Sequence, residues 1–224
     1  MVLHSWDVGV EEAVRIQETL RQRVVLENTI SELKSVGGGD VGYAKEGGPL
    51  VGVIVVLSFP EMELLDAASA HGEASFPYIP GLLSFREGPI LIEAMNRLKI
   101  RPDVMIYEGQ GIAYPRGFGL ASHLGLWFDI PSIGGTKKPL LRSLASPARS
   151  RGSVEWIERE GEKVGAALRT REGIKPIFVS PGHRIDLATS IQIVLATCRG
   201  FRIPVPLRRA HHLTRQNLAL PGRR

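Results

Sequence analysis

The chain has 224 residues, of which 43% are hydrophobic and 23% charged, with a net charge of +5 and one cysteine. This composition is typical of a globular protein with a sizeable core, and it excludes an internal disulfide and a cysteine-cluster metal site. The longest apolar run, at residues 51–57, is too short to cross a bilayer. Because the N-terminus lacks a basic region followed by an apolar one, we expect no secretory signal and a cytoplasmic location.

The first part of the chain predicts one helix followed by a run of strands. Apolar residues at helical spacing predict a helix over residues 10–27, with Asp7 as its cap. Three extended segments follow, at residues 33–41, 50–58 and 64–71. The second is almost entirely aliphatic, as expected for a strand covered on both faces. Glycines at 37–39 indicate a close backbone approach, and those at 47–48 indicate a hairpin turn.

The remainder of the chain alternates between strands and helices. Residues 76–81, FPYIPG, form a stiff loop, since proline fixes φ and removes a backbone donor. Helices are predicted around residues 91–98, with Pro89 in the first turn, and at 119–127, 186–199 and 206–218. Strands are predicted at residues 103–107, 132–134, 154–158, 164–170 and 176–180. The first of these follows a helix, so it is expected to be parallel to a neighbour. The whole pattern predicts one α/β domain over residues 1–224, with a central mixed sheet flanked by helices.

Basic residues are concentrated in two stretches that carry no acidic residue. Residues 199–224 contain seven arginines, and residues 137–151 contain five lysines and arginines. This distribution favours a surface that neutralises phosphates, although a solvated tail and a basic loop would give the same pattern.

Three carboxylates occupy positions where acids are unusual. Asp40 lies inside the first predicted strand, Glu108 ends a buried strand where α/β sheets place ligands, and Glu87 precedes a helix. Taken singly, each is more often structural, and Glu87 could simply favour the helix dipole. As a group, three carboxylates without cysteine would offer only oxygen ligands, which select Mg²⁺ or Mn²⁺. Such an ion beside a phosphodiester polarises the phosphoryl oxygen and activates water. Paired carboxylates with a basic rim therefore predict a nuclease layout.

Five segments of the sequence closely resemble the endonuclease V family. They are FPYIPGLLSFREGP, RPDVMIYEGQGIAYPRGFGLASHLG, SIGGTKKPL, PIFVSPGHRIDL and RIPVPLRRAHHLT, in the family's order. The resemblance implies a ribonuclease H-like fold and an enzyme that acts at deaminated bases, chiefly hypoxanthine in inosine. It also implies hydrolysis of the second phosphodiester on the 3′ side of the lesion, with Mg²⁺ or Mn²⁺ and with 3′-hydroxyl and 5′-phosphate products. The expected partner is deaminated DNA, duplex or single-stranded, and a monomer would suffice.

The same resemblance assigns roles to individual residues. Asp40 and Glu108 would bind the metal, and Glu87 would be the accompanying active-site carboxylate. Lys137 would steady the scissile phosphate or its leaving oxygen. His211 matches the histidine or acid that the family places near the metals, although a histidine on an inward stripe is more often a core residue.

The loop PYIP would act as a wedge in the family's DNA complex. Its tyrosine, Tyr78, would enter the duplex while the damaged base turns out, and a stacked ring can replace the lost neighbour. Without the resemblance, Tyr78 would be interpreted as a core-facing aromatic residue. The other candidate substrate contacts are Pro77, Ile79, Pro80, the pocket residues Gly81, Leu83, Gly109 and Gly119, and His123. His123 could contact the phosphate or simply pack.

The sequence departs from the family pattern near these residues. Glu108 stands where the family has aspartate, Tyr114 stands where it has histidine, and VGYAK follows the first strand acid. A carboxylate misplaced by about 1 Å can lower a rate on the order of 100-fold. These departures leave open an inosine-specific nucleic-acid-binding protein with weakened catalysis. A separate alternative is an inosine-specific ribonuclease that acts on RNA, which would have to sense the 2′-hydroxyl of its substrate.

Overall fold

The computed structural model of the chain describes residues 3–44, 48–138 and 145–219. The helices are α1 (Val10–Leu20), α2 (Leu83–Asn96), α3 (Leu120–Phe128), α4 (Leu187–Thr197) and α5 (Val205–Ala219), and a short 3-10 helix follows α1 at Arg21–Arg23. The strands are β1 (Ser35–Tyr43), β2 (Leu50–Ser58), β3 (Leu64–Gly72), β4 (Val104–Glu108), β5 (Ser132–Thr136), β6 (Val154–Arg159), β7 (Glu162–Leu168) and β8 (Ile177–His183). Within these ranges no helix combines the length and apolar character needed to span a membrane.

The strands form one mixed sheet in the order β3-β2-β1-β4-β5-β8-β7-β6. The strands β1, β4 and β5 are mutually parallel, and the other pairings are antiparallel. The predicted mixed sheet is confirmed, as is the parallel setting of β4. The carboxyl ends of β1, β4 and β5 consequently meet at one end of the sheet, which is where the candidate site lies.

Helices cover both faces of the sheet. Successive residues of β4 alternate between two cores, because strand side chains point to opposite faces. Met105 and Tyr107 pack with α2 and α3, whereas Val104 and Ile106 pack with α4 and α5. The first eight residues of β2 are buried, as predicted for a strand covered on both sides.

The glycines of β1 allow α5 to approach the sheet closely. A Cβ added to Gly38 would lie 2.3 Å from the main-chain carbonyl carbon of Pro206, at the start of α5. No side chain larger than hydrogen fits such a gap, so the predicted close approach at residues 37–39 is confirmed. It places the middle of α5 directly over Asp40.

Several predicted boundaries were wrong. The first helix ends at Leu20 instead of residue 27, because the main chain at Val25 turns away to bond His183 and Arg184. Its N-cap is Gly9 and not Asp7. The predicted turn at 47–48 begins at a residue that lies outside the described ranges, but β1 and β2 pair as an antiparallel hairpin.

The start of α2 was also predicted wrongly, because a proline was expected in its first turn. Pro89 lies inside the helix, which begins six residues earlier at Leu83. The buried apolar residues of α2 start at Phe85, so the helix is held by packing upstream of the proline.

Candidate active site

A cavity of about 660 Å³ opens at the carboxyl ends of β1, β4 and β5. All three predicted carboxylates, Asp40, Glu87 and Glu108, line it. They come from β1, α2 and β4, so the sequence-distant acids converge at one place, although convergence alone does not assign their roles.

Strand register explains why two of the acids are neighbours. Gly39 pairs with Tyr107 in the parallel β1–β4 ladder, so Asp40 and Glu108 follow at adjacent positions. Glu108 in turn lies opposite Gly135 on β5, and the Thr136 hydroxyl donates to Glu108 Oε1 at 3.2 Å. The carboxylate of Glu108 is therefore held from one side by β5.

The three acids all hold protons more strongly than free carboxylates do. Burial is the main cause of the raised pKa of Asp40 and of Glu108, and it raises the pKa of Glu87 to about 7. Repulsion from Asp40 and Glu108 adds to the shift at Glu87, and Asp40 adds to that at Glu108. Desolvated carboxylates that repel one another favour a cationic ligand among them.

The donor set suits a cation that keeps part of its water shell. In residues 3–44, 48–138 and 145–219, no three His, Cys, Asp or Glu side chains form a ready-made metal cluster. Mg²⁺ usually binds through one or two carboxylates together with waters and substrate phosphates, so a pair such as Asp40 and Glu108 fits it. A cage for zinc or calcium would need more protein ligands.

A histidine and a lysine flank the pair. His211 of α5 bonds Asp40 Oδ2 through Nδ1 at 2.9 Å, and the Thr214 hydroxyl lies 3.4 Å from the same oxygen. The His211 side chain is 56% exposed, so it is not a core residue, which was the alternative interpretation from the sequence. Lys137, exposed just after β5, lowers the pKa of both Asp40 and Glu108 against the effect of burial.

Glu87 has a partner that the sequence analysis did not single out. The hydroxyl of Tyr43 donates to Glu87 Oε1 at 2.6 Å, and the Arg86 guanidinium lies 5.3 Å from the centre of the tyrosine ring. Tyr43 belongs to the segment VGYAK, which departs from the family pattern, and that departure was the one available signal.

The loop at residues 76–81, called here the wedge loop, displays its tyrosine to solvent. Tyr78 is 73% exposed and borders the cavity, so the core-facing interpretation was wrong. Ile79 packs instead on a cluster that includes Phe76 and Phe85, while Pro77 and Pro80 are exposed. One side chain of the loop is thus anchored and its neighbour is left free to contact a ligand.

The candidate pocket residues lie together on the cavity wall. They are Gly81, Leu83, Gly109 and Gly119, beside the ring of Tyr114. A Cβ on Gly119 would lie 2.2 Å from the carbonyl oxygen of Gln110, so only glycine fits there. At its glycines the pocket wall is therefore main chain, whose N–H and C=O groups can meet the edge of a base.

His123 lies behind the cavity and is fully buried. Its Nε2 is 2.6 Å from His4 Nε2, and its Nδ1 is 2.9 Å from the Ser84 hydroxyl. Because His4 Nδ1 must donate to the Ser5 carbonyl, its Nε2 accepts, so His123 donates from Nε2 and accepts the Ser84 proton. These contacts favour packing over phosphate contact.

Two further residues connect the wedge loop to the cavity wall, and sequence reasoning missed both. The side chains of Gln17 and Arg116 meet at the carbonyl of Gly81, although they are far apart in the chain. A signal existed for Gln17, since it is a polar residue on the buried face of α1 between Ala13 and Leu20. Nothing in the sequence pattern indicated the role of Arg116.

The structure is a mixed sheet flanked by helices, with carboxylates towards the ends of its central parallel strands. This arrangement is consistent with a nuclease that has a ribonuclease H-like fold. The family model of endonuclease V matches residues 18–212. The chain therefore belongs to the endonuclease V family, a family of nuclease enzymes, which confirms the resemblance found in the sequence.

Individual relatives cover almost the whole chain. Endonuclease V of Dictyoglomus turgidum is 47% identical over 210 residues, which span 94% of this chain and 91% of that protein. The crystal structure of endonuclease V from Streptomyces avermitilis has a TM-score of 0.90 and 42% identity, covering 96% of this chain and 95% of the other. Ciona intestinalis endonuclease V, in complex with a 24mer DNA containing an inosine followed by a ribo-adenosine, has a TM-score of 0.81 and 28% identity, covering 93% of this chain and 97% of the other.

Proposed function

We propose that this protein is a divalent-metal-dependent endonuclease for DNA that contains deaminated bases, chiefly hypoxanthine. It hydrolyses the second phosphodiester on the 3′ side of the lesion and leaves a 3′-hydroxyl and a 5′-phosphate. The observation that carries the proposal is one cavity that combines three carboxylates with an exposed tyrosine on a proline-stiffened loop. The inosine-containing DNA bound by the Ciona relative supports the choice of substrate.

In this proposal Asp40 and Glu108 hold the metal, Mg²⁺ or Mn²⁺. When bound, the ion polarises the phosphoryl oxygen, activates water and stabilises the leaving oxygen. His211 fixes the orientation of the Asp40 carboxylate through the 2.9 Å hydrogen bond. Lys137 supplies positive charge at the rim for the scissile phosphate, and Glu87 is the third carboxylate beside the reacting group.

Recognition is assigned to the wedge loop and the glycine-lined wall. Extruding a base from a duplex costs a few kcal/mol, and the ring of Tyr78 can stack in the space that the base leaves. Because the loop is stiff, little conformational freedom is lost when it enters DNA. The main-chain groups at Gly81, Gly109 and Gly119 then meet the edge of the extruded base.

The proposal is tested by nicking of an inosine-containing duplex with Mg²⁺ or Mn²⁺. The unmodified protein is expected to nick this duplex and to leave the undamaged duplex intact. Asp40→Ala is expected to lose nicking, because it removes one of the two metal-binding carboxylates. Asp7→Ala, which truncates an exposed aspartate outside the cavity, is the matched control and is expected to keep it. Absence of nicking by the unmodified protein, or equal nicking by it and Asp40→Ala, would contradict the proposal.

The same assay separates the alternatives. Salt-dependent binding to inosine DNA without turnover would favour the weakened-catalysis candidate, for which Glu108 is the reason. Preferential cleavage of a matched inosine RNA would favour the ribonuclease, since that preference requires the 2′-hydroxyl to be sensed.

A further inference from the structure

A closed ring of hydrogen bonds joins the wedge loop to the pocket loop, defined here as residues 109–119. The Gln17 amide nitrogen donates to the Gly81 carbonyl at 3.0 Å, and it lies 3.4 Å from the Phe118 carbonyl. Arg116 Nε donates to Gln17 Oε1 at 2.7 Å, and Arg116 Nη2 donates to the same Gly81 carbonyl at 2.7 Å. One amide on α1 therefore contacts both loops.

The chemistry of the partners permits only one orientation of the Gln17 amide. A guanidinium only donates, so the amide oxygen must face Arg116, and carbonyls only accept, so the amide nitrogen must face Gly81 and Phe118. Gln17 is 1% exposed, so its side chain makes these bonds almost entirely out of contact with water. A buried amide with all its groups satisfied fixes the geometry of everything bonded to it.

The end of the wedge loop is shaped to fit this ring. Gly81 has a φ of +99°, and a Cβ there would lie 2.3 Å from Arg116 Nη2. At the other end of the loop, Arg86 Nη1 donates to the Phe76 carbonyl at 2.7 Å. Tyr78 thus projects from a loop that is tied at both ends, with the pocket side tied through Gln17.

We propose that Gln17 is a positioning residue that sets the distance between the wedge tyrosine and the base pocket before DNA binds. This role rests on the proposed function, since it concerns the insertion of Tyr78 beside an extruded base. Preorganisation of this kind avoids ordering the loop during binding, and a misplacement of about 1 Å can lower a rate on the order of 100-fold.

The test compares two substitutions at Gln17 with a buried control. Gln17→Leu keeps the approximate size and removes every hydrogen bond of the side chain. Gln17→Glu keeps an acceptor for Arg116 but places an oxygen against two carbonyl oxygens. Thr197→Val is the control, because it removes a buried hydroxyl that bonds two carbonyls within α4, a helix that includes neither loop.

Three measurements are made on each variant, after thermal unfolding confirms that it is folded at the assay temperature. Both Gln17 variants are expected to lower kcat/KM for inosine DNA by about 10- to 100-fold, while the affinity for undamaged DNA stays within about twofold of the parent. Amide hydrogen exchange in residues 78–82 is expected to become faster. Thr197→Val is expected to change none of the three.

The outcomes separate this inference from the proposed function. If the parent nicks inosine DNA and both Gln17 variants behave like Thr197→Val, the positioning role is overturned and the proposed function stands. If the parent leaves inosine DNA intact, the proposed function fails, and the role of Gln17 in wedge insertion fails with it. Faster exchange in the wedge loop together with reduced selectivity for inosine supports the role.

Discussion

The buried His123 makes the stability of the protein depend on pH. Its pKa lies well below the ordinary value of 6.5, because it is fully buried and because it faces His4. In the unfolded chain the imidazole regains its ordinary affinity for protons. The unfolded state therefore binds more protons as the pH falls below 6.5, and the free energy of unfolding decreases in that direction.

The magnitude follows from this difference in proton binding. A histidine that stays neutral in the fold loses about 1.4 kcal/mol of stabilisation between about pH 7.5 and about pH 5.5. The groups that face the imidazole carry no negative charge that would offset this; they are His4, Ser84 and the rings of Trp6, Phe85 and Phe118. The pKa of Glu87 is raised, so the folded state takes up its proton before the unfolded state does. Glu87 therefore increases the free energy of unfolding as the pH falls, which is the opposite effect.

Denaturant unfolding at the two pH values tests the contribution of His123 and of its contact with His4. The decrease in unfolding free energy between them should be smaller in His123→Leu than in the parent by about 1.4 kcal/mol, equivalent to roughly 3–6 °C in Tm. Glu87 acts equally in both proteins, so it cancels in this difference. His71→Gln, which changes an exposed histidine on β3, is the control and should behave like the parent. A His123→Leu variant with the full pH dependence of the parent would refute the reasoning.

Two substitutions at the cavity test the carboxylates directly. Tyr43→Phe removes the hydrogen bond to Glu87. It is expected to lower nicking of inosine DNA about tenfold, since a hydrogen bond to a charged group contributes on the order of 1.5–3 kcal/mol. An unchanged rate would show that Glu87 does not need this partner. Glu108→Asp shortens the side chain on a strand whose main chain is fixed by pairing on both sides, and it is expected to raise the rate by up to about 100-fold. An unchanged rate would show that the length of Glu108 does not limit cleavage.

Local patterns in the sequence predicted the sheet more accurately than the helix ends. The strand β2 was predicted with its observed bounds, because eight consecutive apolar or glycine residues leave few alternatives. The end of α1 was not predictable from its own residues, since Val25 leaves the helix to bond His183 and Arg184, which are far away in the chain. Pro89 was misplaced because packing at Phe85 starts the helix earlier than the proline suggests.

In the candidate site, too, the residues marked by local sequence features were predicted, whereas the contacts that depend on tertiary packing were not. The acids and the exposed tyrosine were identified from their unusual positions and from the family resemblance, and they converge on the cavity. The partners of these groups were missed, because a hydrogen bond such as that from Tyr43 to Glu87 depends on how α2 lies against β1. Patterns in the sequence can therefore identify reactive groups more readily than the groups that orient them.

The glycines of β1 connect the fold to the site. Gly38, Asp40 and Gly42 point to the same face of the strand, the face that α5 covers. Gly38 lies under Pro206 and Gly42 lies under Thr214, each within contact distance of a missing Cβ. Four strand residues and eight helix residues both advance roughly 12–13 Å, so α5 runs alongside β1 over this distance.

Asp40 lies midway along this contact. His211 is the residue of α5 that lies over Asp40, and its Nδ1 is 2.9 Å from the carboxylate. This distance is possible because Gly38 and Gly42, on either side of Asp40, let α5 lie close to the strand. A side chain at either glycine would lift α5 and separate the pair. The glycines of GGGDVG thus set the distance between β1 and α5. They leave no side chain where the helix lies closest to the strand, and the acid between them meets its histidine partner.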